Sequence, residues 1–145
     1  MGTFDDLGVG DTFVTPERAL TQADAEALIR IGGYTHPLFT DPAFAAASRF
    51  GKVPLPGQAV LLVMGGLVEQ TDRFDETVIA LVGFEQVRVR APAFAGDPLS
   101  VRVSIADKQQ GAGRGLLIMV WNCMRGDEVL VEARARMIFR IDAQV

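Results

Sequence analysis

Apolar and polar residues alternate over long stretches in the second half of the chain. From 129 to 139 every second residue is apolar, and the residues between them include Glu132 and Arg134. Leu99 to Ile105 alternates in the same way. A period of two predicts β-strands with one buried face.

Three further segments have strand character. Val78–Ala91 and Phe13–Ala19 are predicted strands, and Leu116–Cys123 is apolar on both faces, as in a central strand or one at a subunit interface. Turns are predicted at 96–98 and 125–127, where Gly and Asp interrupt the pattern. Together these segments predict an antiparallel sheet.

The first half of the chain favours helices. Thr21 followed three residues later by Asp24 is a capping signal, and it predicts a helix that runs through Ile31. A loop is expected from Tyr34 to Asp41, followed by a short helix from Ala43 to Ser48.

The segment Gly57–Gln70 is apolar on nearly every face, so a helix here must be buried on almost all sides. We expect the sheet to curl around it, which makes the chain one α+β domain spanning residues 1–145. Gly65 and Gly66 lower helix propensity by about 1 kcal/mol each relative to Ala, so close packing is expected beside them.

Composition excludes several classes of function. A net charge of -4 and a pI near 4.9 argue against a nucleic-acid partner. The longest apolar run, 59–68, is too short to cross a membrane, and Met1–Gly10 does not resemble a signal peptide. One His and one Cys cannot form a usual metal site, and Cys123 cannot form an internal disulfide. We therefore expect a cytoplasmic protein without a metal or a redox cofactor.

One loop carries a family resemblance. Gly33-Tyr34-Thr35-His36-Pro37-Leu38-Phe39-Thr40-Asp41 resembles the active-site segment Gly-Asp-x-Asn-Pro-x-His-x-Asp of the MaoC-like hydratases, the (R)-specific enoyl-CoA hydratases. Phe50-Gly51, Pro56-Gly57 and Gly96-Asp97 match further family positions. The resemblance covers nearly the whole chain. It implies a hot-dog fold, a CoA thioester as substrate and no cofactor.

The chain departs from that pattern at the residues that carry the family's chemistry. Tyr34 and Phe39 stand where the family has the Asp and His that activate water, and His36 stands at the Asn position. Pro56 replaces the His before the helix glycine. A phenyl ring cannot transfer a proton, and a phenol is a poor base at neutral pH. The family mechanism therefore does not carry over unchanged.

Three residues of the loop are candidate catalytic groups. His36 can act as a general base or can hold the loop backbone in the place of Asn. Tyr34 can donate a proton to a substrate oxygen or contact an acyl chain. Asp41 can act as an acid or can cap the short helix that follows.

Phe39, Gly57 and Gln58 are candidate substrate-binding residues. Free N–H groups at the start of the buried helix favour a thioester oxygen that gains negative charge, so Gly57 and Gln58 are the expected donors. Several arginines can reach a CoA phosphate, and the sequence does not choose among them: Arg88, Arg90, Arg102, Arg134 and Arg136.

These observations leave three functions open. The chain is a hydro-lyase with a non-standard site, or a non-catalytic acyl-thioester-binding protein, including the substrate-holding subunit of a heteromer with a competent hydratase. Thioester hydrolysis is weaker, because Glu69 lies about three turns from the helix N-terminus. The two-sided apolar strand predicts at least a homodimer.

Overall fold

The structure is a computed structural model that describes residues 4–74 and 77–141. The outer ends of the predicted domain 1–145 lie outside these residues. The elements are, in chain order, a 3-10 helix Phe4–Asp6, β1 Thr12–Val14, α1 Gln22–Gly32, α2 Pro37–Thr40, α3 Pro42–Ala47, α4 Gly57–Glu69, β2 Val78–Val89, β3 Leu99–Gly111, β4 Arg114–Arg125 and β5 Glu128–Arg140.

The strands form one antiparallel sheet, whose order within the described residues is β1-β3-β4-β5-β2. β4 is the centre of the sheet, with Met119 paired to Ile105 on one side and to Ala135 on the other. The apolar residues on both faces of Leu116–Cys123 are therefore explained by the central position of this strand. The sheet and its helices have the predicted α+β hot-dog fold.

Helix α4 forms the centre of the hydrophobic core. Val60, Met64 and Leu67 on this helix are almost fully buried, and they belong to the same core as Trp121 and Phe139 of the sheet. Among the described residues, the buried positions of α4 lie on one side of the helix, and Leu62 on the other side is exposed, so the predicted burial on almost all sides is met on one side only. The contacts of α4 run to β3, β4 and β5.

The capping signal of α1 is confirmed. Thr21 accepts a hydrogen bond from the Asp24 N–H, and the Asp24 carboxylate accepts one from the Thr21 N–H. The pKa of Asp24 is held below its usual value, mainly by the hydrogen bond from the Thr21 backbone N–H and secondly by the hydrogen bond with the Thr21 side chain. The carboxylate thus remains ionised at the positive end of the helix.

Two predicted boundaries are wrong in part. The strand expected at Phe13–Ala19 ends at Val14, because Pro16 has no N–H for a continuing ladder, although Arg18 still forms a bridge to Leu99. The segment Tyr34–Asp41, expected to be a loop, contains the single turn α2. Its start at Pro37 agrees with the preference of proline for the first helical position.

Exposed apolar surface lies on β2 and not on β4. Within the described residues β2 pairs only with β5, and its exposed apolar side chains are Ile79, Leu81, Val82, Val87 and Val89. Beside it, Leu62 of α4 is 66 % exposed. A groove of about 580 Å³ runs between α4 and β2. A Cβ added at Gly66 would meet no atom of the described residues within 4 Å, so the close packing expected at Gly66 is absent from this part of the chain.

Candidate active site

The end of α1 places Tyr34. Gly33 has a left-handed backbone with φ of 72°, and the following Tyr34 N–H donates to the Ile29 carbonyl at 3.2 Å. The Tyr34 ring then lies directly over Gly32, where an added Cβ would approach its Cε2 to 2.6 Å. Gly32 therefore leaves the space that the ring occupies.

Tyr34 connects the loop to the first turn of α4. Its hydroxyl donates to the Gln58 side-chain oxygen at 3.0 Å. Its ring meets Phe39 edge to face, with 5.2 Å between the ring centroids. The two aromatic residues that the resemblance aligns with the family's Asp and His are thus neighbours in space, and Tyr34 is anchored to the helix.

The N-terminus of α4 has no side-chain cap, because its N-cap residue is Pro56. Within residues 4–74 and 77–141, the N–H groups of Gly57 and Gln58 donate to no acceptor. Two free donors and the positive end of the helix dipole therefore point out of this end of the helix. Such an arrangement favours an oxygen with partial negative charge.

A cavity of about 340 Å³ opens at this helix end. Gly57 and Phe39 both line it, together with Val89 of β2. A Cβ added at Gly57 would come within 2.9 Å of Val89 Cγ2, so the strand approaches the helix closely here because residue 57 is glycine. We refer to this space as the helix-end cavity.

The helix-end cavity contains no group suited to acid or base catalysis. Its lining carries no carboxylate, imidazole, phenol, thiol or hydroxyl among the described residues: Leu38, Phe39, Arg49, Phe50, Pro54, Leu55, Pro56, Gly57, Val89, Arg90, Ala91 and Pro92. It offers apolar walls, two guanidinium groups and the free N–H of Gly57, with Gln58 next to it in the chain. These groups can bind and polarise a substrate, but they cannot deprotonate water.

His36 lies outside this cavity and caps α2. Its Nδ1 accepts a hydrogen bond from the Leu38 N–H at 3.1 Å, and its ring meets Phe44 edge to face. This backbone contact is the one expected if His36 takes the place of the family Asn. The nitrogen that accepts this bond is not available as a base while the bond is made.

Asp41 caps α3. Its Oδ1 accepts hydrogen bonds from the Ala43 N–H at 3.0 Å and from the Phe44 N–H at 3.4 Å. Like His36, it does not line the helix-end cavity. The structure therefore brings Tyr34, Phe39, Gly57 and Gln58 together and places the other two catalytic candidates on neighbouring turns. A catalytic role for any of them stays a prediction.

Arg49 is the functional candidate that the sequence reasoning missed. It lines the helix-end cavity, is exposed, and forms no salt bridge within the described part of the chain. Arg90 lines the same cavity but is paired with Glu132 at 2.9 Å. Arg49 lies seven residues before Pro56, in a loop that leads back to the start of α4. Such a loop has no periodic pattern, so the sequence alone does not show that Arg49 lines the cavity.

Other reactive groups are not arranged as a site. Burial raises the pKa of the Cys123 thiol to about 11, so the thiol is protonated at neutral pH. Residues 4–74 and 77–141 contain no cluster of three or more His, Cys, Asp or Glu that could hold a metal ion. In the same ranges no helix has the length and hydropathy needed to span a membrane.

Comparison with known proteins points to one family. The model of the MaoC like domain matches residues 7–118. Protein MaoC of Klebsiella aerogenes is 31 % identical over 105 residues, which is 72 % of this chain and 31 % of that protein. The chain thus corresponds to about a third of the length of this relative.

Solved structures agree with the fold. A monoamine oxidase regulatory protein from Archaeoglobus fulgidus has a TM-score of 0.88 at 26 % identity, and the match covers 97 % of this chain and 95 % of that one. The (R)-hydratase from A. caviae, involved in PHA biosynthesis, has a TM-score of 0.72 at 21 % identity, with 93 % and 98 % covered. The second likeness is one of fold alone.

The capping contact of His36 generates a prediction. His36→Asn keeps a side-chain acceptor for the start of α2, whereas His36→Ala removes it. We expect the free energy of unfolding in urea to fall by about 1 kcal/mol in His36→Ala and to stay within about 0.5 kcal/mol of wild type in His36→Asn. Equal stability of the two variants would show that the cap does not matter. Loss of acyl-CoA affinity in both variants, with the stability of His36→Asn kept, would assign His36 to the substrate.

Proposed function

This chain belongs to the MaoC-like domain family, and from that premise we propose that it binds an acyl thioester at the N-terminus of α4 without supplying the acid and base for hydration. The observation that carries this proposal is the lining of the helix-end cavity. The cavity is lined by Gly57, whose N–H is free at the helix end, and by Phe39 at the position where the resemblance implies a proton-transfer group.

The proposed binding mode uses three parts of the site. The thioester carbonyl oxygen accepts hydrogen bonds from the Gly57 and Gln58 N–H groups, which have no other acceptor within the described residues. The acyl group packs against Phe39 and Val89. The exposed guanidinium of Arg49 is suited to a phosphate of the thiol carrier, because guanidinium and phosphate form charge-assisted hydrogen bonds.

A domain of this kind contributes to hydration by holding the substrate for another subunit. We propose that the missing carboxylate and imidazole come from a second MaoC-like subunit in a heteromer. Catalysis by this chain alone would depend on Tyr34, the nearest proton donor to Phe39, whose hydroxyl proton is engaged by Gln58. A phenol so placed can donate a proton but leaves water without a base.

The free N–H of Gly57 provides the experiment. Gly57→Pro removes this donor, and proline is well tolerated at the first position of a helix. Gly57→Ala is the matched control, because it adds a Cβ toward Val89 in the same way but retains the N–H. We expect crotonyl-CoA to bind about fivefold more weakly to Gly57→Pro than to Gly57→Ala, measured by isothermal titration calorimetry.

Equal affinity of the two Gly57 variants would contradict a carbonyl contact at the helix end. Absence of crotonyl-CoA binding to the wild-type protein would contradict the whole proposal. Far-UV circular dichroism of each variant shows whether the helix content is kept.

The exposed edge of β2 supports a paired assembly. An edge strand with exposed apolar residues is prone to aggregation unless another strand or subunit covers it. The glycines of α4 add a second reason, since Gly65 and Gly66 lower helix propensity but make no contact with the described residues that requires glycine. We propose that β2 pairs with β2 of a second copy about a twofold axis, and that a competent subunit uses the same edge in a heteromer.

This assembly is tested by charge placed on the edge. Val82→Lys should shift the protein from dimer to the 15.6 kDa monomer in sedimentation at micromolar concentration, because the substitution buries a charge in the interface. Val14→Lys is the control, since Val14 is 61 % exposed on the opposite edge strand β1. A monomeric wild-type protein, or equal effects of the two substitutions, would contradict pairing through β2.

A further inference from the structure

A second cavity lies beneath α1, on the other side of Phe39. It has a volume of about 510 Å³, and its apolar lining includes Ala25, Ile29, Val53 and Ala95. Polar residues of α1 and of the following loop complete it. None of the groups that we assign to thioester binding at the helix end requires this second space. We refer to it as the α1 cavity.

Two residues line both cavities and form the wall between them. Phe39 and Pro54 each contact the helix-end cavity and the α1 cavity. Pro54 is buried, and the chain next to it is fixed by a hydrogen bond from the Leu55 N–H to the Ala93 carbonyl at 2.8 Å. Phe39 forms the remainder of the wall with its ring.

The ring of Phe39 is held in the closed position from behind. Tyr34 packs edge to face against it, and Tyr34 is anchored by its hydrogen bond to Gln58. The position of the Tyr34 ring also depends on Gly32, because a side chain there would occupy the space in which the ring packs against α1. Rotation of Phe39 away from the wall would therefore have to displace an anchored neighbour.

We propose that Phe39 sets the acyl-chain length that this site accepts, by closing the α1 cavity to a chain that enters from the helix end. This inference rests on the proposed thioester binding at α4 and adds the class of acyl group. Short acyl thioesters fill the helix-end cavity, whereas longer ones meet the Phe39 ring. The residue at the position of the family's catalytic His becomes a determinant of specificity here.

The proposal predicts how affinity depends on chain length. Each methylene that leaves water for an apolar lining tightens binding by about fourfold. In the wild-type protein this gain should stop at the length where the chain reaches Phe39. Phe39→Ala connects the two cavities, so the gain should continue over several further methylenes.

The experiment uses saturated thioesters, which are bound but cannot be hydrated or dehydrated across a double bond. Dissociation constants of butanoyl-, hexanoyl-, octanoyl- and decanoyl-CoA are measured by calorimetry for wild type and Phe39→Ala. We expect the ratio of decanoyl-CoA affinity to butanoyl-CoA affinity to be at least tenfold higher in Phe39→Ala than in wild type, whatever contact butanoyl-CoA loses with the phenyl ring. Phe39→Leu serves as the second variant if the alanine protein does not fold.

Two controls isolate the wall. Phe44→Ala removes an exposed aromatic side chain that contacts His36 and lines neither cavity, so it should keep the wild-type profile. Phe39→Ala combined with Ile29→Phe refills the α1 cavity and should reverse the gain for the longer chains, because the two substitutions act on one space.

Identical chain-length profiles of wild type and both Phe39 variants would overturn the role of Phe39 while leaving thioester binding intact. A profile that rises through decanoyl-CoA in the wild type would do the same, because the wall would then be open already. Failure of all four thioesters to bind any of the proteins would overturn the proposed function and the inference together.

Discussion

Burial of α4 is the constraint on which the rest of the structure depends. The sheet packs against one side of this apolar helix and removes that side from water, while Leu62 on the other side stays exposed. The ends of the helix are left at the edge of this contact, where neighbouring loops meet it. Because Pro56 provides no side-chain cap, the N-terminal donors stay free exactly where the loop after α1 returns with Tyr34 and Phe39.

The loop is stabilised independently of the catalytic pair that the family uses. His36 caps α2, Asp41 caps α3, and Tyr34 bonds to Gln58, so its shape does not require an Asp–His pair. Tyr34 and Phe39, which the resemblance aligns with that pair, therefore give the N-terminal end of α4 aromatic contacts and no acid–base pair. The ring of Phe39 also lies between the helix-end cavity and the α1 cavity, where it can limit the length of a bound acyl chain.

The sequence predicts the elements well and the spatial relations of the site only in part. Strand parity in Val131–Phe139 and the capping signal at Thr21 are local patterns, and the structure confirms both. The parity is wrong at Val129, because a bulge between Val129 and Val131 leaves Val129 half-buried and buries Leu130. The two faces of Leu116–Cys123 left a central strand and an interface strand open, since periodicity does not give strand order. The exposed edge of β2 was not foreseen for the same reason.

The lining of the site depends on contacts between distant segments. Arg49 and Pro54 belong to a connecting loop without periodic pattern, and their place at the cavities follows from its return to α4. The resemblance identified Tyr34 and Phe39 as substitutions, but their mutual contact and the hydrogen bond to Gln58 required the folded chain. At Gly66 the sequence predicted a contact that the described residues do not make. A glycine inside a helix favours close packing, but Gly66 lies beside open space.

The most direct measurement restores the family's groups on this chain. Tyr34→Asp, His36→Asn and Phe39→His are combined, and hydration of crotonyl-CoA is followed for this variant and for wild type. If the binding end of α4 is intact, the variant should hydrate crotonyl-CoA at least about 100-fold faster than wild type, since a positioned acid or base group contributes that much or more. Wild-type turnover that equals or exceeds that of the folded variant would contradict the view that this site binds an acyl thioester without its own acid and base.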